Sequence, residues 1–318
     1  MSHSYHYFRS FLLFVATVFI FTAPVQAADT AAPEKPLLYG IFVGAKSDFW
    51  ATVEKGAADA ADKLGYRIIY RGAAQTDINS QKELVDIALK EGAKGIFMAP
   101  NSPDRAAEVA KAKAAGVPVV YFDRTMGDEE ITSFIGTNNY AGGELATEKL
   151  VKKIGEGKTA KVVVFRMDEK VDPVSQREIG FMDAAKKLGY EVVASPFVTS
   201  EIGEARSRIY TFLTDPKTPA FDAIFTSSEY GAVAALLALQ MAGKTHDYIH
   251  IGFDAGPVIE KAIRDGDLYG TIVQQPYQMG YKSIEALDAT LKGLKTEPFI
   301  ETDVLFVNKD NVDTYTKQ

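Results

Sequence analysis

The sequence predicts an α/β protein of two Rossmann-like lobes, each a parallel sheet with helices on both faces. Three observations lead there. From residue 37 onward, short β-branched apolar runs alternate with longer helical patterns, as βαβ units require. The chain has 318 residues, more than a single hydrophobic core usually serves. One segment also occurs twice: Asp62-Lys63-Leu64-Gly65-Tyr66 returns as Lys186-Lys187-Leu188-Gly189-Tyr190, each time closing a long helix and leading into a strand.

Taken in order, the first element is an export signal. Arg9 precedes an apolar stretch over 11–21, which has the length of a secretory h-region and falls short of the ~20 apolar residues a membrane span needs. Ala23-Pro24 ends it, and Val25-Gln26-Ala27 places a cleavage site before Ala28. The chain has no Cys, so neither a lipid anchor at that site nor disulfide staples are expected, and core burial alone must hold the exported fold. The net charge is −7, one unit more negative once Arg9 is removed. Nucleic acid and anionic membrane, both held by cationic patches, are therefore not expected partners.

Strands are predicted over 38–43, 67–70, 95–98, 117–122, 161–165, 191–194, 222–225, 249–252 and 269–273. Uniformly apolar runs such as Val162-Val163-Val164-Phe165 suit strands buried on both faces. Between them the spacing changes to three and four, as in Val53-Ala57-Ala60-Ala61-Leu64, which marks amphipathic helices. Asp48, Asp77 and Ser102 read as helix N-caps, and Pro103 and Pro173 fall in first turns, where a missing N–H is harmless. Gly65 and Gly189 read as left-handed C-caps, so the repeat needs no functional explanation.

Motifs for catalysis are not found. Gly157-Lys158-Thr159 and Gly243-Lys244-Thr245 lack the glycine five residues upstream that a phosphate loop needs, having Lys152 and Ala238 there, and each precedes a strand instead of a helix. No serine elbow between glycines and no paired-His helix occurs. His246 and His250 read as surface residues, because neither a thiol nor a third imidazole is available to complete a zinc site. No catalytic residue, metal or cofactor is expected.

In open parallel sheets, ligands bind beyond the carboxyl ends of the strands. The residues there are Lys46, Ser47, Asp48, Phe49 and Trp50; Asp123 and Arg124; Asp168 and the stretch to Arg177, including Ser175; Ser227, Ser228 and Glu229; Asp254; and Gln274 with Gln275. Asp, Arg and Gln can each satisfy two hydroxyls, while an aromatic ring covers the C–H face of a sugar. A sugar or polyol is the ligand class this set suits. Alternatives stand beside each reading: Asp48 as a helix cap, Asp168 as a loop charge, Asp123-Arg124 as a strand-end ion pair, Lys46 as a solvated cation. Of Phe49 and Trp50, one ring is expected in the core and at least one in the cleft.

Across nearly the whole mature chain the sequence resembles the ribose-binding-protein group of periplasmic sugar-binding proteins. Ser47-Asp48-Phe49-Trp50, Val119-Val120-Tyr121-Phe122-Asp123-Arg124, Ile135-Gly136-Thr137-Asn138-Asn139, Arg177-Glu178-Ile179-Gly180-Phe181, Ile251-Gly252-Phe253-Asp254 and Thr271-Ile272-Val273-Gln274-Gln275-Pro276 carry the likeness, in order and at the family's spacing. The resemblance implies a type I periplasmic binding protein fold with three inter-lobe crossings, near Thr137, near Gln274 and near residue 303. The lobes would be 28–137 plus 275–303 and 138–274 plus 304–318, after a signal peptide at 1–27. It further implies that Phe49 and Trp50 stack on the sugar while Asp123, Arg124, Asp254 and Gln274 grip hydroxyls. Departures at Ser47, Ala99, Ser175 and Ser228-Glu229 replace larger polar groups of ribose binders and point away from ribose, toward a bulkier hexose, ketose or polyol. The expected protein is a periplasmic monomer without enzymatic activity that delivers its ligand to the permease of an ABC importer; a sensor kinase or chemoreceptor is the alternative partner, and a secreted α/β enzyme the remote one.

Overall fold

The computed structural model describes residue 1 and residues 34–43, 48–73, 79–127, 130–167 and 172–315. Residues 2–27 of the expected export signal, and Lys46, Ser47, Asp77 and Asp168, fall outside the described residues.

The first stretch of chain runs β1 (Leu37–Val43), α1 (Asp48–Leu64), β2 (Arg67–Ala73), α2 (Asn79–Lys90) and β3 (Gly95–Met98). A 3-10 turn, Pro103–Arg105, leads into α3 (Ala106–Ala114), then β4 (Val119–Phe122) and β5 (Ser133–Thr137). The second stretch runs α4 (Asn139–Ile154), β6 (Lys161–Phe165), α5 (Asp172–Lys187), β7 (Glu191–Ala194) and α6 (Ile202–Thr214). It continues through β8 (Ala223–Thr226), α7 (Glu229–Ala242), β9 (Ile249–Phe253), α8 (Pro257–Asp265) and β10 (Gly270–Val273). The chain closes with α9 (Pro276–Leu291), β11 (Phe299–Thr302), β12 (Leu305–Asn308) and α10 (Val312–Tyr315).

Two six-stranded sheets result, ordered β2-β1-β3-β4-β5-β11 and β7-β6-β8-β9-β10-β12. The pairings are parallel except that β12 runs antiparallel to β10. Both sheets thus wind outward from a switch point, between β1 and β3 in one and between β6 and β8 in the other, where a crevice opens at the carboxyl ends of the strands. The chain passes between sheets after β5, after β10, and between Thr302 and Leu305.

Each sheet is covered on both faces. Along β1, Leu38 and Phe42 pack with Val53 and Ala57 of α1 and Met279 and Ile284 of α9, whereas Tyr39 and Ile41 turn to Val85 of α2 and Val109 of α3. β6 divides the same way, Val162 and Val164 joining Phe181 of α5 and Val163 and Phe165 joining Ile209 of α6 and Leu239 of α7. Period-2 alternation in a doubly covered sheet makes every position apolar.

Two helix pairs make unusually close crossings. A Cβ on Gly56 of α1 would lie 2.0 Å from the carbonyl oxygen of Tyr277 on α9, and one on Gly280 2.0 Å from that of Val53. In the other lobe, a Cβ on Gly143 of α4 would lie 2.1 Å from the Arg177 carbonyl oxygen, and one on Gly180 of α5 2.1 Å from that of Tyr140. Gly65 and Gly189 take left-handed φ values of 83° and 80°, and Tyr66 and Tyr190 donate back to the carbonyls of Ala61 and Ala185, so both copies of the repeat end their helices by the same turn. Ser102 caps the turn at Pro103, its hydroxyl accepting from the Asp104 N–H.

Three strands were not predicted: β5, β11 and β12. His250 is also not at the surface; it is 1 % exposed, facing inward from β9 with its Nε2 2.9 Å from Thr226 Oγ1. Burial depresses its pKa to about 3, because the imidazolium would lose its hydration.

Candidate functional site

The two lobes place an aspartate at equivalent points. Asp123 follows β4 with φ 66°, and Asp254 follows β9 with φ 70°. Each donates its N–H to the next strand in the sheet, Asp123 to the Ile135 carbonyl at 3.0 Å and Asp254 to the Ile272 carbonyl at 2.7 Å. A left-handed conformation at a residue with a Cβ is strained by roughly 1–2 kcal/mol, and such positions concentrate where a side chain must be aimed.

In the first lobe, Arg124 Nε donates to Asp123 Oδ2 at 3.0 Å, and both side chains keep solvent access, 33 % and 12 %. Beside them lies an aromatic group. Trp50 stacks on Phe42 at 5.8 Å and meets Phe122, the residue before Asp123, edge-on at 5.9 Å. Phe49 lies edge-to-face against Trp50 at 4.9 Å and is half-buried. Trp50, 9 % exposed, belongs to the first-lobe core.

The second-lobe set is more tightly knit. Asp254 accepts at Oδ1 from Gln274 Nε2 (2.8 Å) and at Oδ2 from Arg177 Nη1 (3.2 Å) and the Glu229 N–H (3.4 Å). Arg177, placed by its sequence position among the ligand-gripping groups, has a side chain only 5 % exposed and directs its bonds to protein acceptors. Its Nε donates to Asn139 Oδ1 at 2.8 Å and its Nη1 to the Ser227 carbonyl at 3.1 Å, while its guanidinium lies 3.9 Å over the Phe253 ring. Ser228 caps α7, accepting from the Gly231 N–H at 3.2 Å. Ser175 is buried at 8 %. The Glu229 carboxylate lies against the loop before α8, close enough that a Cβ on Gly256 would meet its Oε1 at 2.4 Å.

Arg166 and Glu178 were missed from the sequence. Glu178, fully buried, accepts from Arg166 Nε (2.8 Å), the Met167 N–H (2.9 Å) and Ser227 Oγ (2.8 Å). This braces the ends of β6 and β8, and Arg166 in turn lies 4.2 Å over Phe197. A cation directly after an apolar strand was the available signal for Arg166; a mid-helix glutamate gives none.

The structure therefore gathers Asp254, Gln274, Arg177 and the Glu229 backbone into one second-lobe group, and Asp123, Arg124, Phe49 and Trp50 into a first-lobe group at the matching strand end. A separate open hollow of about 800 Å³ lies at the amino-terminal ends of the second-lobe strands, lined by Lys153, His246, Tyr248, Tyr269 and Lys309 among others. It contains none of the convergent strand-end groups.

Two doubly wound lobes of one strand order, three chain crossings and polar strand ends facing the crevices define a two-lobed binding protein of type I. The chain belongs to the family described as periplasmic binding protein domain, whose model matches residues 39–295. It is 32 % identical to the ribose import binding protein RbsB of Escherichia coli over 262 residues, 82 % of this chain and 86 % of that protein. Among solved structures, the arabinose-binding protein AraP of Geobacillus stearothermophilus superposes with a TM-score of 0.81 at 25 % identity, covering 88 % of this chain and 99 % of that one. An ABC transporter solute-binding protein of Agrobacterium vitis with bound D-fucose gives 0.73 at 30 % identity, covering 87 % and 97 %.

Proposed function

We propose that this protein captures a monosaccharide or related polyol between its lobes and presents it to the permease of an ABC importer. The observation that carries the reading is the paired left-handed aspartates, Asp123 and Asp254, at equivalent strand ends of the two lobes. The family membership and the sugar-binding names of its relatives support it. Asp123 and Arg124 grip hydroxyls from one lobe and Asp254 and Gln274 from the other. Phe49 offers ring surface for the C–H face, backed by Trp50 in the core. By their place in the sequence Lys46 and Ser47 join the proposed contacts, while Ser175, Ser228 and Glu229 bound the second-lobe side and set which hydroxyl pattern fits, because a buried polar group left unpaired costs about 1–3 kcal/mol.

Ligand held from both sides shifts the equilibrium from open to closed by hinge bending, and the closed form is what the membrane partner reads. The protein acts as a monomer, reaches the periplasm through the cleaved signal at 1–27, and performs no chemistry on its cargo. A thermal-shift screen of pentoses, hexoses, ketoses and polyols tests the ligand class, since a ligand that binds only the folded form raises the melting temperature by mass action. Small-angle scattering with the best sugar should show compaction. Recovery of chemically altered sugar, or tight binding without compaction, would overturn the proposal.

A further inference from the structure

Five side chains and one backbone carbonyl around the hinge close into a ring. Thr137, the last residue of β5 in the first sheet, donates its hydroxyl to Gln274 Oε1 at 3.0 Å. Gln274 Nε2 donates to Asp254 Oδ1 at 2.8 Å, and Arg177 Nη1 to Asp254 Oδ2 at 3.2 Å. Arg177 Nε donates to Asn139 Oδ1 at 2.8 Å, and Asn139 Nδ2 returns to the Thr137 carbonyl at 3.2 Å. Thr137 and Gln274 stand at two of the three crossings between the sheets, so the ring laces both crossings to the second-lobe aspartate.

We propose that Arg177 is a positioning residue: it does not touch the ligand but holds Asp254 in register with the hinge, so that engagement of Asp254 is felt at Thr137. This rests on the capture reading above. Most of the guanidinium is taken up by the protein. Its Nε and Nη1 are committed to Asn139, Ser227 and Asp254, one face is covered by Phe253, and the residue is 4 % exposed. Both oxygens of Asp254 are engaged within the ring or beside it, so a hydroxyl that draws on this carboxylate must share or rearrange bonds whose far end is the hinge. Lysine could not serve, since a point charge cannot span three acceptors that a planar fork reaches together.

The absence of cysteine gives a clean test, with Lys82→Cys on α2 and Lys187→Cys on α5, both exposed, carrying a spin-label pair across the lobes. In the ligand-free protein, Arg177→Lys, Arg177→Gln and Thr137→Val should each broaden the inter-lobe distance distribution. Of D-ribose, D-allose and D-fucose, the sugar that wild type binds best should bind Arg177→Lys as weakly as Arg177→Gln, about tenfold or more below wild type, because hydrogen bonds to charged groups are lost in both. A merely structural arginine would lower the melting temperature, leave the distribution narrow and be partly rescued by lysine. Should the Arg177 variants fail to fold, Thr137→Val, which cuts the ring at its neutral bond to Gln274, and Asn139→Ala, which removes the acceptor of Arg177 Nε, keep the arginine in place and decide the matter. A wild-type distribution in those two variants overturns the proposal. If none of the three sugars binds wild type, the fault lies with the capture reading for them, while the distance distributions still decide the ring.

Discussion

Asp123 and Asp254 hold a backbone conformation that favours glycine, which sets the strength of the first prediction. Relief of left-handed strain by Asp123→Gly is worth roughly 1 kcal/mol, and glycine's greater freedom in the unfolded chain offsets a similar amount. The Arg124 partner is a third exposed, so losing the ion pair costs little. Asp123→Gly should therefore melt within a few degrees of wild type while sugar binding, followed by calorimetry, is lost. A large drop in melting temperature would favour a purely structural ion pair. A second residue-scale effect is set by His250, buried with its pKa lowered to about 3 by desolvation. The unfolded chain takes up this proton near pH 6.5 and the folded one does not. The stability His250 contributes is thus full above pH 6.5 and lost as pH falls from there toward 3, by up to about 1.4 kcal/mol per unit. Denaturant titrations at stepped pH should show a shallower acid loss in His250→Gln than in wild type; equal slopes would remove His250 as the cause.

Among the elements, legibility followed burial. β1, β3, β6 and β8 lie between two helical layers, so their apolar runs are continuous and read directly as strands. β11 and β12 are edge strands of four residues with one buried position each, and β5 opens on Ser133 and carries Gly136; runs that short and mixed resemble loop. The polar groups at the strand ends were legible for a related reason. Asp123, Arg124, Asp254 and Gln274 stand one or two positions past strong apolar runs, whereas the bracing role of Glu178 and the enclosure of Arg177 depend on residues distant in sequence. The glycines of the helix crossings left no sequence signal, and they carry the third prediction. Gly180→Ala drives a Cβ into the Tyr140 carbonyl oxygen, so α4 and α5 must separate, and overpacking of this kind costs about 1–3 kcal/mol or more. Gly203, on the exposed start of α6, has nothing within 4 Å of the place a Cβ would take. Gly203→Ala should be neutral or gain up to ~1 kcal/mol from helix propensity. Comparable melting temperatures for the two variants would show that the close crossing is not a tight constraint.

At the scale of the whole molecule, each sheet is completed by chain that returns from the other side of the hinge. α9 and β11 follow β6 to β10 of the second lobe in sequence, yet α9 lays Met279, Ile284 and Leu287, all fully buried, on the core of the first sheet, and β11 pairs with β5 at its edge. Burying side chains of that size contributes about 1.5–3 kcal/mol each, so together they match much of the 5–15 kcal/mol by which a domain is stable. A fragment of residues 35–137 should consequently lack a cooperative thermal transition and expose the apolar face that α9 covers. The bond from Thr137 Oγ1 to Gln274 Oε1, 3.0 Å long, places the end of β5 beside the start of the returning segment. A short flexible linker can therefore join 35–137 to 274–302, and that single chain should melt cooperatively by circular dichroism while the shorter fragment does not. Cooperative melting of 35–137 alone, near the temperature of the full protein, would mean that the first lobe does not depend on the returning helix, and the lobes would then be independent domains instead of halves that complete each other across the hinge.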